Sequence, residues 1–208
     1  ANSDRGFHPV GFLNLPYPRQ SAFSMFNEPL PRSAGRLLTS ATNCCYADRG
    51  LACLGFGRGK SATQLYLIGE DGRSGHRHNG PLSILLFSQG REILPDLGYI
   101  ADHPANKWIK STPAHNTVTV DEADCRAAGP SKVNALVTEG TIRFADITVP
   151  IEGMDLYRRA VTLIKKSDGL PLLVDIFDIA GGSVHDYQVR VNDPDQVFTI
   201  PDNPLKNR

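Results

Sequence analysis

His76 and His78 flank Arg77 in the stretch Gly75-His76-Arg77-His78. At i and i+2 of a strand two side chains point to the same face. A β protein uses that spacing to offer two imidazoles to a metal ion, and neighbouring strands complete the set. In a loop the pair can diverge, leaving one histidine to coordinate. The chain supplies two completions. Asp96 follows one apolar run later, preceded by Pro95, and His115 lies in Ser111-Thr112-Pro113-Ala114-His115-Asn116 at the mouth of another run. Two imidazoles and a carboxylate suit Zn²⁺. Three histidines in separate hydrogen-bonded turns are the alternative reading of the same spacing.

Other motifs carry less. GFGRGKS at 55–61 lacks the first glycine of a phosphate-binding loop, since Leu54 stands there, and a strand-like run follows where a helix is required. It reads as a glycine-rich turn. A cupin-type site needs a glutamate three or four residues after the histidine pair, and the next one is Glu92. The cysteines, Cys44, Cys45, Cys53 and Cys125, fit neither a zinc knuckle nor a CxxC motif. The adjacency of Cys44 and Cys45 argues against a simple disulfide framework, and all four read as small buried hydrophobes. Trp108 offers an aromatic face for stacking on a sugar ring or anchors packing, and Tyr99 is a phenol near Asp96 in sequence. Arg73, Arg77 and Lys110 flank the histidines and could attract an anion.

These residues must be positioned by strands. From about residue 38 the chain is a series of short apolar or alternating runs, among them QLYLIGED, LSILLFSQG, TIRFADITV and PLLVDIFDIAGG, punctuated by Gly, Asp and Asn. VTVDEADC and LIKKSDGLPLLV read as hairpins. No window carries a 3.6-residue stripe. The expected fold is all-β, a stacked antiparallel β-sandwich over residues 38–208 whose end, without a closing element, reads as truncated. Residues 1–37, rich in Pro and Phe, read as an irregular arm or linker. With 208 residues the chain can bury roughly 70% of its unfolded surface. Lys plus Arg and Asp plus Glu number 22 each, so no basic excess points to nucleic acid. No apolar run approaches the ~18 residues of a membrane span.

In order and spacing, residues of the 65–125 region resemble the β-sheet domain of the heparinase II/III-like polysaccharide lyases. That family carries roughly G-H-x-H-x-D-x-L-S, a strand, D-x-G, and then an R/K-S-T-x-x-H-N-x-V stretch. Gly75, His76, His78, Leu82 and Ser83 match the first piece. Asp96 and Gly98 match the second, and Lys110, Ser111, Thr112, His115, Asn116 and Val118 the third. One position departs: Gly80, followed by Pro81, stands where the family has an acid, which removes a carboxylate able to orient a neighbour.

The resemblance implies a structural zinc on His78, Asp96 and His115. It implies that His76 faces the sugar cleft as the catalytic candidate, with Arg73, Arg77, Tyr99, Trp108 and Asn116 as substrate contacts. The implied reaction is β-elimination in a uronic-acid-containing acidic polysaccharide. There the groups that handle protons come largely from a helical α/α-toroid domain, a partner within the same protein that these residues do not contain. A bacterial periplasmic or secreted location is also implied. The alternative is a non-catalytic, zinc-stapled β-sandwich that binds carbohydrate or serves a structural role.

Overall fold

The computed structural model describes residues 40–69, 78–98 and 104–191. The expected arm at 1–37 lies outside them, as do Arg73, His76, Arg77 and Tyr99. Two antiparallel meanders dominate. The first has five strands in chain order: β1 (Cys44–Tyr46), β2 (Leu51–Phe56), β3 (Thr63–Ile68), β4 (Ser83–Ser88) and β5 (Arg91–Leu94). The second runs β7 (Lys132–Val137), β8 (Ile142–Thr148), β9 (Leu156–Ile164) and β10 (Leu172–Ala180). Between them in sequence, β6 (Val118–Val120) pairs with β11 (His185–Tyr187). Among the described residues the α-helix is a single turn, α1 (Asn106–Ile109).

Side-chain alternation explains how the sheets face each other. Along β9 the buried residues are Tyr157, Arg159, Val161 and Leu163, every second position. With Ala145 and Ile147 of β8, Tyr157, Val161 and Leu163 meet Ala52, Leu54, Leu65, Leu67 and Ile84 of the five-stranded sheet in one core. The stacked antiparallel sandwich expected from the sequence is the fold found. Of the two expected hairpins, LIKKSDGLPLLV forms as the β9–β10 pair, whereas VTVDEADC makes only a turn closed by one bridge, because its strand pairs with β11 instead. Val120 bridges Ala123 across Asp121 and Glu122, whose φ angles of 50° and 57° suit a two-residue turn. The Asp121 carboxylate accepts the N–H groups of Ser183 and Val184 at 2.7 and 2.8 Å, which holds the turn against β11. No described helix is long and apolar enough to cross a membrane.

Candidate metal centre

The three segments carrying His78, Asp96 and His115 converge. His78 precedes β4, Asp96 follows β5, and His115 ends a 3₁₀ turn (Thr112–Ala114) that leads into β6. Asn116 and Arg159 sew these segments together. The Asn116 amide donates to the carbonyls of Ile84 (3.1 Å) and Pro95 (2.9 Å), and its oxygen accepts the Arg190 N–H at 2.6 Å. The segment bearing Asp96 is thereby fastened to the one bearing His115. Asn116 is 1% exposed, so its expected contact with substrate is corrected: its amide braces backbone inside the protein.

Arg159, 0% exposed, reaches in from β9. Its Nη1 donates to Leu82 O (2.6 Å) and Asn116 O (2.7 Å). Its Nε and Nη2 form a bidentate pair with Asp175 at 2.9 and 2.6 Å, and Nη2 also donates to Tyr187 Oη at 2.7 Å. All five guanidinium hydrogens thus have acceptors. Leu82 takes φ of 56°, unusual for a residue with a side chain, and its carbonyl is captured by Arg159 in that conformation.

At the centre, His78 Nδ1 lies 3.0 Å from His115 Nε2, while the Asp96 oxygens lie 3.8 Å from the first and 3.4 Å from the second. Tetrahedral ligands with bonds of about 2.0–2.1 Å are separated by about 3.3 Å, so these spacings bracket the edge of such a site. His115 is 3% exposed. Its Nδ1 donates to Ser111 O at 2.8 Å, a contact that assigns the tautomer and leaves the Nε2 lone pair facing the cluster. Asp96 Oδ1 accepts the Gly98 N–H at 2.6 Å.

Electrostatics favour the ligand-competent forms. Burial lowers the His78 pKa and outweighs the opposing pull of Asp96, which favours neutral imidazole. Burial pushes the Asp96 carboxyl up, but the neighbouring His115, the Gly98 N–H and His78 bring it below its ordinary value. The three residues are the group found among the described residues whose donor atoms could hold one ion.

A second layer went unread in the sequence. Asp124 accepts Thr112 N–H (2.8 Å) and Asn79 Nδ2–H (3.1 Å), and Thr112 Oγ1 donates to Asn79 O at 2.6 Å. These contacts latch the residue after His78 to the turn before His115. Trp108, on α1, is 48% exposed, with the Arg190 guanidinium 5.6 Å from its ring centre. One hydrogen-bonded step separates it from the cluster, because Ser111 Oγ donates to Trp108 O at 2.6 Å.

Gly80 packs on the ring of His115. A Cβ there would lie 2.7 Å from both Cγ and Cδ2. The missing acid thus coincides with a place where a side chain would have to displace that imidazole. Gly80→Ala is expected to cost about 1–3 kcal/mol through overpacking, read as a lower urea midpoint. An unchanged midpoint would show that the ring moves aside freely.

The family described as heparinase II/III-like, C-terminal, matches residues 57–177. No curated protein matches the chain. Among solved structures, the heparinase III BT4657 gene product is similar at a TM-score of 0.59 and 20% identity, over 70% of this chain and 23% of that one. The heparan sulfate lyase HepC from Pedobacter heparinus gives 0.52 and 21%, over 61% and 20% of the two chains. Another heparinase III gives 0.52 and 18%, over 69% and 23%. These likenesses show the fold. The matched part spans under a quarter of the length of each of these proteins.

Proposed function

The chain belongs to the heparinase II/III-like family by its C-terminal domain, and from that premise we propose that it is the β-sheet part of a polysaccharide lyase. Its substrate is a uronic-acid-containing acidic polysaccharide, cleaved by β-elimination, and a helical toroid domain completes the active site. The observation that carries this reading is the convergence of His78, Asp96 and His115 on one point. A Zn²⁺ ion held there would supply a cross-link between three chain segments rather than a reaction step.

Elimination removes the C5 proton of a uronate and expels the sugar linked at its 4-oxygen. It needs a partner for the uronate carboxylate, a base for the proton and an acid for the leaving oxygen. His76, two residues before His78, neutralises the carboxylate by hydrogen bonding or charge, with Arg73, Arg77 and Tyr99 beside the sugar. Trp108 offers its exposed indole face for stacking. A catalytic-domain partner supplies the proton-handling groups. The periplasm, or the exterior of a bacterium, is the compartment in which such a polymer would be met.

The test is ultraviolet absorbance of unsaturated uronate, with the domain joined to its helical partner. His76→Ala is expected to lower the rate roughly 10²–10³-fold while melting temperature and zinc content stay level. Activity within a few fold of wild type would remove His76 from the site. Lost zinc with a lowered melting temperature would make it a ligand. Wild-type protein that binds acidic polysaccharide without releasing unsaturated product would establish the non-catalytic module instead.

A further inference from the structure

We infer that Cys44 and Cys53 form a cross-strand dithiol that closes to a disulfide, stapling edge strand β1 to β2. Cys44 is the register partner of Cys53 in the antiparallel β1–β2 pair. Residues directly opposite in such a pair have Cα atoms about 4.5–5.5 Å apart, inside the 4.4–6.8 Å range that a disulfide spans. Neighbouring strand residues point to opposite faces, which sends Cys45 away from Cys44. Cys45 stands opposite Ala52, so it has no thiol across from it. The adjacency that obscured a pairing in the sequence is resolved by the pleat. Cys125 lies apart, packed under β6 with its Sγ 3.6 Å from Val118 O.

The two thiols differ in access. Cys44 is half-buried on an edge strand, whereas Cys53 is 4% exposed. Burial first, then the neighbouring Cys44, raises the Cys53 thiol to about 12. Cys44 is therefore the thiol that meets an external disulfide, and Cys53 is the resolving one. With oxidised glutathione as oxidant, the Cys44 thiolate attacks one sulfur and releases one glutathione. Cys53, losing its proton, then attacks Cys44 Sγ and releases the second. Two protein thiols are oxidised, and one glutathione disulfide is reduced to two thiols.

The test incubates the protein with oxidised glutathione, alkylates the remaining thiols and digests with trypsin. Cleavage after Arg49 places Cys44 and Cys45 on one peptide and Cys53 on the next. The expected product joins these two peptides in wild type and in Cys45→Ser, disappears with dithiothreitol, and is absent from Cys44→Ser. Oxidised wild type should also melt a few degrees higher than reduced. A bridge within the first peptide, a joined product surviving Cys44→Ser, glutathione retained on Cys44, or four alkylated cysteines would each overturn the inference.

Discussion

Replacing Arg159 with methionine is expected to destabilise the protein by about 3–5 kcal/mol, the cost of breaking a buried ion pair from one side. Against the 5–15 kcal/mol that holds a typical domain together, this is a large fraction. Three consequences add up. Asp175 loses its bidentate partner, the Leu82 and Asn116 carbonyls lose their donor, and Leu82 loses what holds it at positive φ. Tyr187, whose hydroxyl donates to Asp175, cannot replace the guanidinium. Burial of that hydroxyl end raises the phenol to about 12, so it stays a neutral donor at physiological pH. Arg159→Lys keeps the charge but brings three donors to five acceptors, and should fall between methionine and wild type. Removing both charges, as Arg159→Met with Asp175→Leu, should cost less than the methionine change alone, because no unpaired carboxylate remains. Urea unfolding of the four proteins checks the order. An Arg159→Met variant within 1 kcal/mol of wild type would show that water takes over the guanidinium's contacts.

Arg159 also marks where sequence reading succeeded and where it stopped. The strands were legible because their apolar residues recur with the sheet's own period, as in β9, and because polar turns separate them. That same period places Arg159 among Tyr157, Val161 and Leu163 on the inward face. A charged residue at an inward position of the alternation is the signal the sequence carries for this brace. Arg158 is the outward one, paired with Asp146 at 2.7 Å and Asp178 at 3.2 Å.

The candidate ligands could be named because two of the six histidines stand at alternate positions and their order with Asp96 and His115 matched a family pattern. Their bracing could not be named. Asp124, Thr112 and Asn116 act through backbone contacts with residues up to 74 positions away in sequence, and no local pattern encodes such partners. Asn116 was read as facing substrate because it adjoins His115. Yet neighbours in an extended segment point opposite ways, and here the amide turns toward Ile84 and Pro95.

Protein purified without chelator is expected to carry about one zinc per chain, and stripping it should lower the melting temperature sharply. Structural zinc sites bind with apparent free energies on the order of 10 kcal/mol near neutral pH, and that energy stabilises the fold because the unfolded chain has no assembled site. The stripped protein should nevertheless remain folded. His78 and His115 can share one proton across their 3.0 Å contact, Ser111 O occupies the other His115 nitrogen, and Asp96 keeps the Gly98 N–H. His78→Ala/His115→Ala should bind no zinc and show no further loss on chelation. Asp124→Asn, one step removed, should weaken zinc about 10–100-fold, as disturbed outer contacts do, with Asn79 and Thr112 displaced. Acid must release the ion, since protons compete for the same lone pairs. The folded pKa of His78 lies below its unfolded value. Its contribution to stability is therefore complete above about pH 6.5 and is lost as pH falls through that value toward the folded pKa. Elemental analysis and melting curves, with and without chelator across that range, decide the matter. Zinc absent from carefully loaded protein, or persisting in the double histidine variant, would leave the cluster as a hydrogen-bonded brace and nothing more.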